Sequence, residues 1–178
     1  AVEWLREQGI ILIYYIAATR INGDEKKRSD FYSFYDNRWK EYEDYFGPKP
    51  SADPTEWARV ISTGEPAIYS TGNHPRQHGI CINNPFVRKY VKGAVHIAVD
   101  LGAQGIFFDD SPIFCYCRYC DARFRDHLQK GFSSKELNEI FGINSINEVI
   151  SANFVIERLI KLETPLFVEW RRFRAINY

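Results

Sequence analysis

Three cysteines crowd into the run Cys115-Tyr116-Cys117-Arg118-Tyr119-Cys120, and the fourth of the chain, Cys81, stands thirty-four residues upstream. Thiolates at C-x-C-x-x-C spacing can wrap one metal ion while a fourth closes a tetrahedron around it, which is how structural zinc is held. The spacing departs from the two C-x-x-C pairs of small zinc domains, so it points to an ion that staples loops of a larger fold. Two disulfides or four buried free thiols are the alternatives. Bridges within the run would be strained, because a disulfide needs set Cα and Cβ separations. Four sulfur ligands leave no open position for water, so the expected zinc is structural and not catalytic.

At 178 residues, 45% hydrophobic and 16% aromatic, the chain can bury one core but not two generous ones, and a single domain over 1–178 is expected. Basic and acidic residues balance at 23 each, which gives no electrostatic footprint for nucleic acid or an anionic membrane. The longest apolar run, Ile10 to Ala18, falls well short of the roughly 20 residues of a membrane helix. No cationic-then-apolar leader precedes it. A soluble, cytoplasmic protein is the expectation. The chain has no methionine and opens on AVEWLREQG, which reads as the last two turns of an amphipathic helix closed by glycine. It is therefore expected to begin mid-domain.

After Gly9, IILIYYIAA is the β-branched and aromatic run of a strand covered on both faces of a parallel sheet. Thr19 to Ile80 follows without a sustained period, rich in proline and tyrosine and holding Trp39 and Trp57. A stretch this long is either a functional loop, such as a lid, or a surface excursion packed by its own aromatics. Asn84-Pro85 is a helix start. Val87, Tyr90, Val91, Ala94, Ala98 and Leu101 then recur at helical spacing up to Gly102, the pattern of a helix lying on a sheet. GIFFDD follows at once as a short buried strand ending in two acids. Strand, excursion, helix, strand makes a βαβ unit with parallel strands. Downstream, Arg118 to Lys130 reads as a helix, Ser133 with Glu136 and Ser145 with Glu148 as capping boxes, and Thr164-Pro165 opens a last helix bearing Phe167, Trp170 and Phe173. The fold class expected is α/β, either a partial (β/α)8 barrel or an open sheet.

Ligands of parallel α/β folds sit at the carboxyl ends of strands, where Asp109 and Asp110 stand. Adjacent strand residues face opposite ways, so Asp109 shares a face with Phe107 while Ile106, Phe108 and Asp110 take the other. Both acids could instead simply hold the following loop. The cysteine run begins five residues after Asp110, so a zinc there would lock the acid-bearing loop. Asn73, His74, Arg76, Gln77 and His78 form a polar loop before Cys81 that suits sugar hydroxyls as well as it suits solvent. Tyr14 and Tyr15 read as core or supporting residues, and Trp39 and Trp57 as candidate platforms for sugar rings.

On CINNPFVRKY, GIFFDD, CYCRYC, F-R-x-H-L and LNEIFG, the segment from Cys81 to about Phe141 resembles (β/α)8 glycoside hydrolases. It is most similar to the β-galactosidases of glycoside hydrolase family 42 and to barrels described as hypothetical glycosyl hydrolases. The resemblance implies structural zinc on Cys81, Cys115, Cys117 and Cys120, and a carbohydrate as partner. It covers roughly two to four of eight strands, so a fragment of a barrel is expected. Where the galactosidases carry asparagine and then the acid/base glutamate, this chain has Asp109 and Asp110 and a shorter loop. FFDD also resembles the strand ending of α-fucosidases whose aspartate is the nucleophile. Asp109 is thus expected as nucleophile or substrate ligand, and Asp110 as an ill-fitting acid/base. Asn73, His74, Arg76 and His78 are the expected substrate-binding residues. The rival readings are a noncatalytic carbohydrate-binding or scaffold protein, and a metal-dependent hydrolase using Asp109, Asp110 and His74 around a second ion. Oligomeric state is not encoded in these patterns, and a homo-oligomer is compatible with them.

Overall fold

The computed structural model describes residues 2–69, 76–109, 114–151 and 164–177. It is mixed α/β and divides into two compact units, Ala1–Arg59 with Pro66–Ser111, and Val60–Glu65 with Pro112–Tyr178. No helix among the described residues is long and apolar enough to cross a membrane.

The first unit opens with α1 (Val2–Glu7), which Gly9 terminates at φ 71°. β1 (Ile13–Ala17) then pairs in parallel with β5 (Gly105–Asp109), Tyr15 opposite Phe107 and Ala17 opposite Asp109. The parallel βαβ pairing is as expected from the sequence. Its cover is not. Both strands were expected to be buried, yet Ile13 is 64% exposed, Tyr15 58% and Phe107 55%. The described sheet is only these two strands, so Ile13, Tyr15 and Phe107 project from it with little laid across them, whereas Tyr14, Ile16 and Ile106 are half-buried. β1 is also shorter than the apolar run, beginning at Ile13 and not at Ile10.

The excursion from Thr19 is an aromatic subdomain. β2 (Arg20–Asn22), β3 (Ile68–Tyr69) and β4 (Gln77–Gly79) make a three-stranded antiparallel sheet in the order β2-β4-β3. Between β2 and β3 lie α2 (Phe31–Asn37), a 3₁₀ turn over Trp39–Tyr42, α3 (Glu43–Phe46) and a second 3₁₀ turn over Pro54–Trp57. Each element is too short to display a period, which is why the sequence read as patternless. Tyr32, Tyr35, Trp39, Phe46 and Trp57 are buried together with Ile21, Ile80 and Val87. The excursion is thus packed by its own aromatics.

α4 (Pro85–Asp100) starts as expected, with the Asn84 side chain accepting from Phe86 N and proline at N1. Its apolar face, however, meets the aromatic subdomain more than the sheet. Phe46 packs at 5.2 Å between ring centroids against Tyr90. Gly93 permits this approach: a Cβ there would come within 2.7 Å of Tyr45 O and 2.4 Å of Phe46 Cδ1. Leu101, expected on that face, is exposed because the helix has already ended and Gly102 turns the chain at φ 98°.

The second unit is helical. α5 (Arg118–Gly131), α6 (Ser134–Phe141) and α7 (Pro165–Asn177) bury Phe124, Leu128, Leu137, Phe167, Trp170 and Phe173 in one core. Phe124 and Leu128 stand four apart on one α5 face, as the helical repeat requires. The Ser133–Glu136 capping box forms in full, and Thr164 Oγ1 accepts from Phe167 N at 3.2 Å to start α7. The second box does not form. Ser145 caps Asn147 N at 3.4 Å and only a 3₁₀ turn, Ile146–Glu148, follows.

Candidate metal centre and strand-end carboxylate

Each cysteine is placed by ordinary backbone logic. Cys81 follows β4, its N–H donating to Trp57 O at 2.9 Å and its carbonyl accepting from Asn84 N at 2.9 Å, so the turn into α4 fixes it from both sides. Cys115 Sγ accepts from Val60 N at 3.4 Å, and Tyr116 N donates to Val60 O at 3.0 Å, so the strand-like run through Val60 holds the start of the cysteine loop. Cys117 is the N-cap residue of α5 and Cys120 lies in its first turn, its N–H bonded to Cys117 O at 2.9 Å.

None of the four cysteines is in a disulfide and all are buried, and the sulfurs of Cys81, Cys115, Cys117 and Cys120 all lie within 4.8 Å of one another. Cys117 and Cys120 Sγ are 3.8 Å apart. Tetrahedral zinc with Zn–S bonds of about 2.3 Å has S···S edges of about 3.8 Å, whereas a disulfide brings its sulfurs to about 2.05 Å. The donor set therefore fits a closed S4 metal site. Among the described residues no other group of three or more histidine, cysteine or acidic side chains has metal-binding geometry.

Asp109 ends β5 and is exposed. Its Oδ2 accepts from the Tyr15 hydroxyl at 2.8 Å. Tyr15 faces Phe107 in the ladder, its ring 5.9 Å from the Phe107 ring, so Tyr15, Phe107 and Asp109 share one side of the sheet. That is the parity expected from alternation. The tyrosine's role as partner was not read from the sequence, which offered the signal only to a reader who had already paired IILIYYIAA with GIFFDD. Asp110 lies outside the described residues.

Of the polar loop, Asn73 and His74 also lie outside the described residues. Arg76 and His78 converge on one acid that sequence reasoning missed. Arg76 Nη2 bonds Glu25 Oε1 at 2.7 Å, and His78 Nε2 stands 3.0 Å from Glu25 Oε2, an ion-pair distance whose angle falls short of a hydrogen bond. His78 is 3% exposed and meets the Tyr32 ring edge-on at 5.4 Å. Burial lowers the His78 imidazole below its ordinary value, against the opposing pull of Glu25. Burial acts to raise Glu25, but its own backbone N–H, His78 and Arg76 prevail and hold its carboxyl below the usual range. Glu25 is about fifty residues from both partners and carries no local signal.

Trp39 and Trp57 are 2% and 0% exposed, buried among Tyr35, Phe46 and Tyr90. They cannot serve as platforms for sugar rings. Their spacing in a proline-rich stretch did not distinguish a surface ring from a core ring; only the packing of α2, α3 and α4 does.

Against known proteins, the chain matches no family model, no curated protein and no solved structure.

Proposed function

We propose that the chain is a zinc-stapled protein of glycoside hydrolase type, in which one structural zinc on Cys81, Cys115, Cys117 and Cys120 fixes the loop after a carboxylate-tipped strand. The observation that carries the reading is the four-sulfur cluster, three of whose cysteines come from a run that begins six residues beyond Asp109. The zinc would fix the cysteine loop and, having four sulfur ligands, would activate no water. The β1–β5 pair is read as two adjacent strands of a (β/α)8 barrel, with Asp109 at the carboxyl end where such folds place chemistry.

At that position Asp109 is nucleophile or substrate ligand, oriented by the Tyr15 hydroxyl, and Asp110 is the candidate acid/base. A glycosidase needs two carboxyl groups: about 5 Å apart for retention, roughly 6.5 to 9.5 Å for inversion. A noncatalytic carbohydrate-binding chain with the same zinc loop is the second reading, favoured by the open exposure of Asp109.

Elemental analysis of the purified chain should return one zinc per chain, and none after any one of the four cysteines is exchanged for serine. Zinc-free protein with intact folding would remove the staple from the proposal. With zinc in place, the double change Asp109→Asn and Asp110→Asn divides the two readings: an enzyme loses turnover of nitrophenyl glycosides, and a binding protein has no turnover to lose but retains saccharide affinity. More than one metal per chain would favour the hydrolase with a second ion.

A further inference from the structure

The loop 23–30, between β2 and α2, is held down at two places. At its start Gly23 N donates to Arg76 O at 2.8 Å, and Arg76 Nη2 donates to Glu25 Oε1 at 2.7 Å. Glu25 Oε2 stands 3.0 Å from His78 Nε2. Toward its end Arg28 pairs with Asp36 at 2.7 Å and with Asp53 at 3.0 Å. One half of the loop thus hangs on Glu25 and the other on Arg28.

The two halves answer acid differently. The Arg28 hydrogen bond holds the Asp36 carboxyl below its ordinary 3.8. Burial acts to raise Asp53, but the Thr55 N–H and Arg28 prevail and lower it too. The Arg28 anchor therefore keeps its pairs in mild acid. In the Glu25 half, mild acid reaches His78. This ring is 3% exposed, lies in the β4 ladder between Ile21 of β2 and Ile68 of β3, and meets Tyr32 of α2 edge-on. The charges that face it are Glu25 and Asp24 on the loop and Arg76 ahead of β4. Burial pushes the Tyr32 hydroxyl up, so it stays neutral. Glu25 is already paired with Arg76, and Asp24 Oδ1 already accepts from Lys26 N and Lys27 N at 2.9 Å. A proton on His78 adds a second buried cation to anions that are already engaged, which costs free energy that solvation on opening returns.

The closed arrangement is also costly in itself. Glu25 Oε2, the Tyr32 hydroxyl, Arg76 Nε and His78 Nε2 are buried with no hydrogen-bond partner among the described residues, and such groups gain water when a segment lifts. Arg28 and Asp30 hold left-handed backbone at φ 52° and 53°, which is unfavourable for residues with a Cβ.

We propose that residues 23–27 form an acid-released latch: with His78 neutral, Glu25 docks on Arg76 and His78, and with His78 protonated the segment lifts while Arg28 keeps its far end anchored. Asn22, the residue before it, lines a cleft of about 400 Å³ between β1, β2 and α4, so a rim of that cleft adjoins the moving segment. The latch depends neither on zinc nor on Asp109.

Amide exchange in the full chain, followed by NMR and corrected for intrinsic rates, tests it. Gly23 and Ser29 report the segment, their N–H groups bonded to Arg76 O and Asp24 O; Arg88 in α4, bonded to Asn84 O, reports unfolding of the unit. The two loop amides should open at least tenfold more readily than Arg88. Their opening constant should rise at least threefold from about pH 7.5 to about 5.5, because the open form takes up the proton first. His78→Gln should hold that constant level over the same span. Loop amides that open within tenfold of Arg88, a rise of less than threefold, or a rise that survives His78→Gln overturns the latch. If His78→Gln fails to fold, the His78 ring of the parent decides: an NMR titration midpoint below 6.5 supports the latch, and one at or above 6.5 overturns it.

Discussion

Replacing Trp57 by alanine separates a core role from a ligand platform more sharply than any other single change. The side chain is fully buried, and its ring lies within 5.8 Å of Phe31 and Tyr35, 6.0 Å of Trp39 and 6.2 Å of Tyr90. A buried tryptophan removes about 150 to 250 Å² from water, which at about 25 cal/mol per Å² corresponds to roughly 4 to 6 kcal/mol. Measured truncations of buried aromatic residues to alanine fall at about 3 to 5 kcal/mol. For a chain of this length each kcal/mol lowers Tm by about 2 to 4 °C, so the expected loss is roughly 6 to 20 °C. Trp57→Phe should cost much less. Among the described residues the indole Nε1 has no hydrogen-bond partner, so phenylalanine keeps most of the ring area and removes a buried donor that gains nothing. Calorimetry measures both variants without relying on tryptophan fluorescence. A Trp57→Ala protein with unchanged Tm and weakened saccharide binding would refute the assignment of this ring to the core.

Gly93→Ala should lower stability by about 1 to 3 kcal/mol, the usual range for overpacking, because its Cβ would meet backbone at Tyr45 as well as Phe46; a denaturant midpoint equal to the parent would contradict the close approach of α3 to α4. Acid should destabilise the first unit in two stages. His78 has a folded value below its unfolded 6.5, so the unfolded chain takes up the proton first and stability falls as pH drops below about 6.5. Glu25, also lowered, contributes stability that is present above 4.5 and lost as pH falls further. Glu25→Gln should flatten the lower stage in a pH series of thermal melts, and an unchanged profile would argue against the Glu25–His78–Arg76 cluster. Chelation of the proposed zinc should lower the melting temperature of the parent chain and leave that of a cysteine-to-serine variant unaffected.

Where the signal was local, the sequence was a sufficient guide. Asn84-Pro85 set the start of α4, Ser133 with Glu136 set that of α6, and Thr164-Pro165 that of α7, because capping is decided by atoms within three or four residues. The parallel pairing of IILIYYIAA with GIFFDD followed from the order of elements, and the side of Asp109 from simple alternation. The cysteine spacing pointed to four thiols gathered at one place, and the fold brings their sulfurs within 4.8 Å of one another.

What tertiary structure alone decided was everything that depends on segments distant in the chain. It turned an apparently patternless excursion into a sheet and helices too short to be periodic, and it moved Trp39 and Trp57 from candidate surface rings into the core. Glu25 came to Arg76 and His78 from about fifty residues away, and Tyr15 came to Asp109 from more than ninety. It also left the faces of β1 and β5 open that composition alone had marked for burial. Hydrophobic pattern says which side chains favour leaving water; only the arrangement of neighbouring elements says whether anything lies across them.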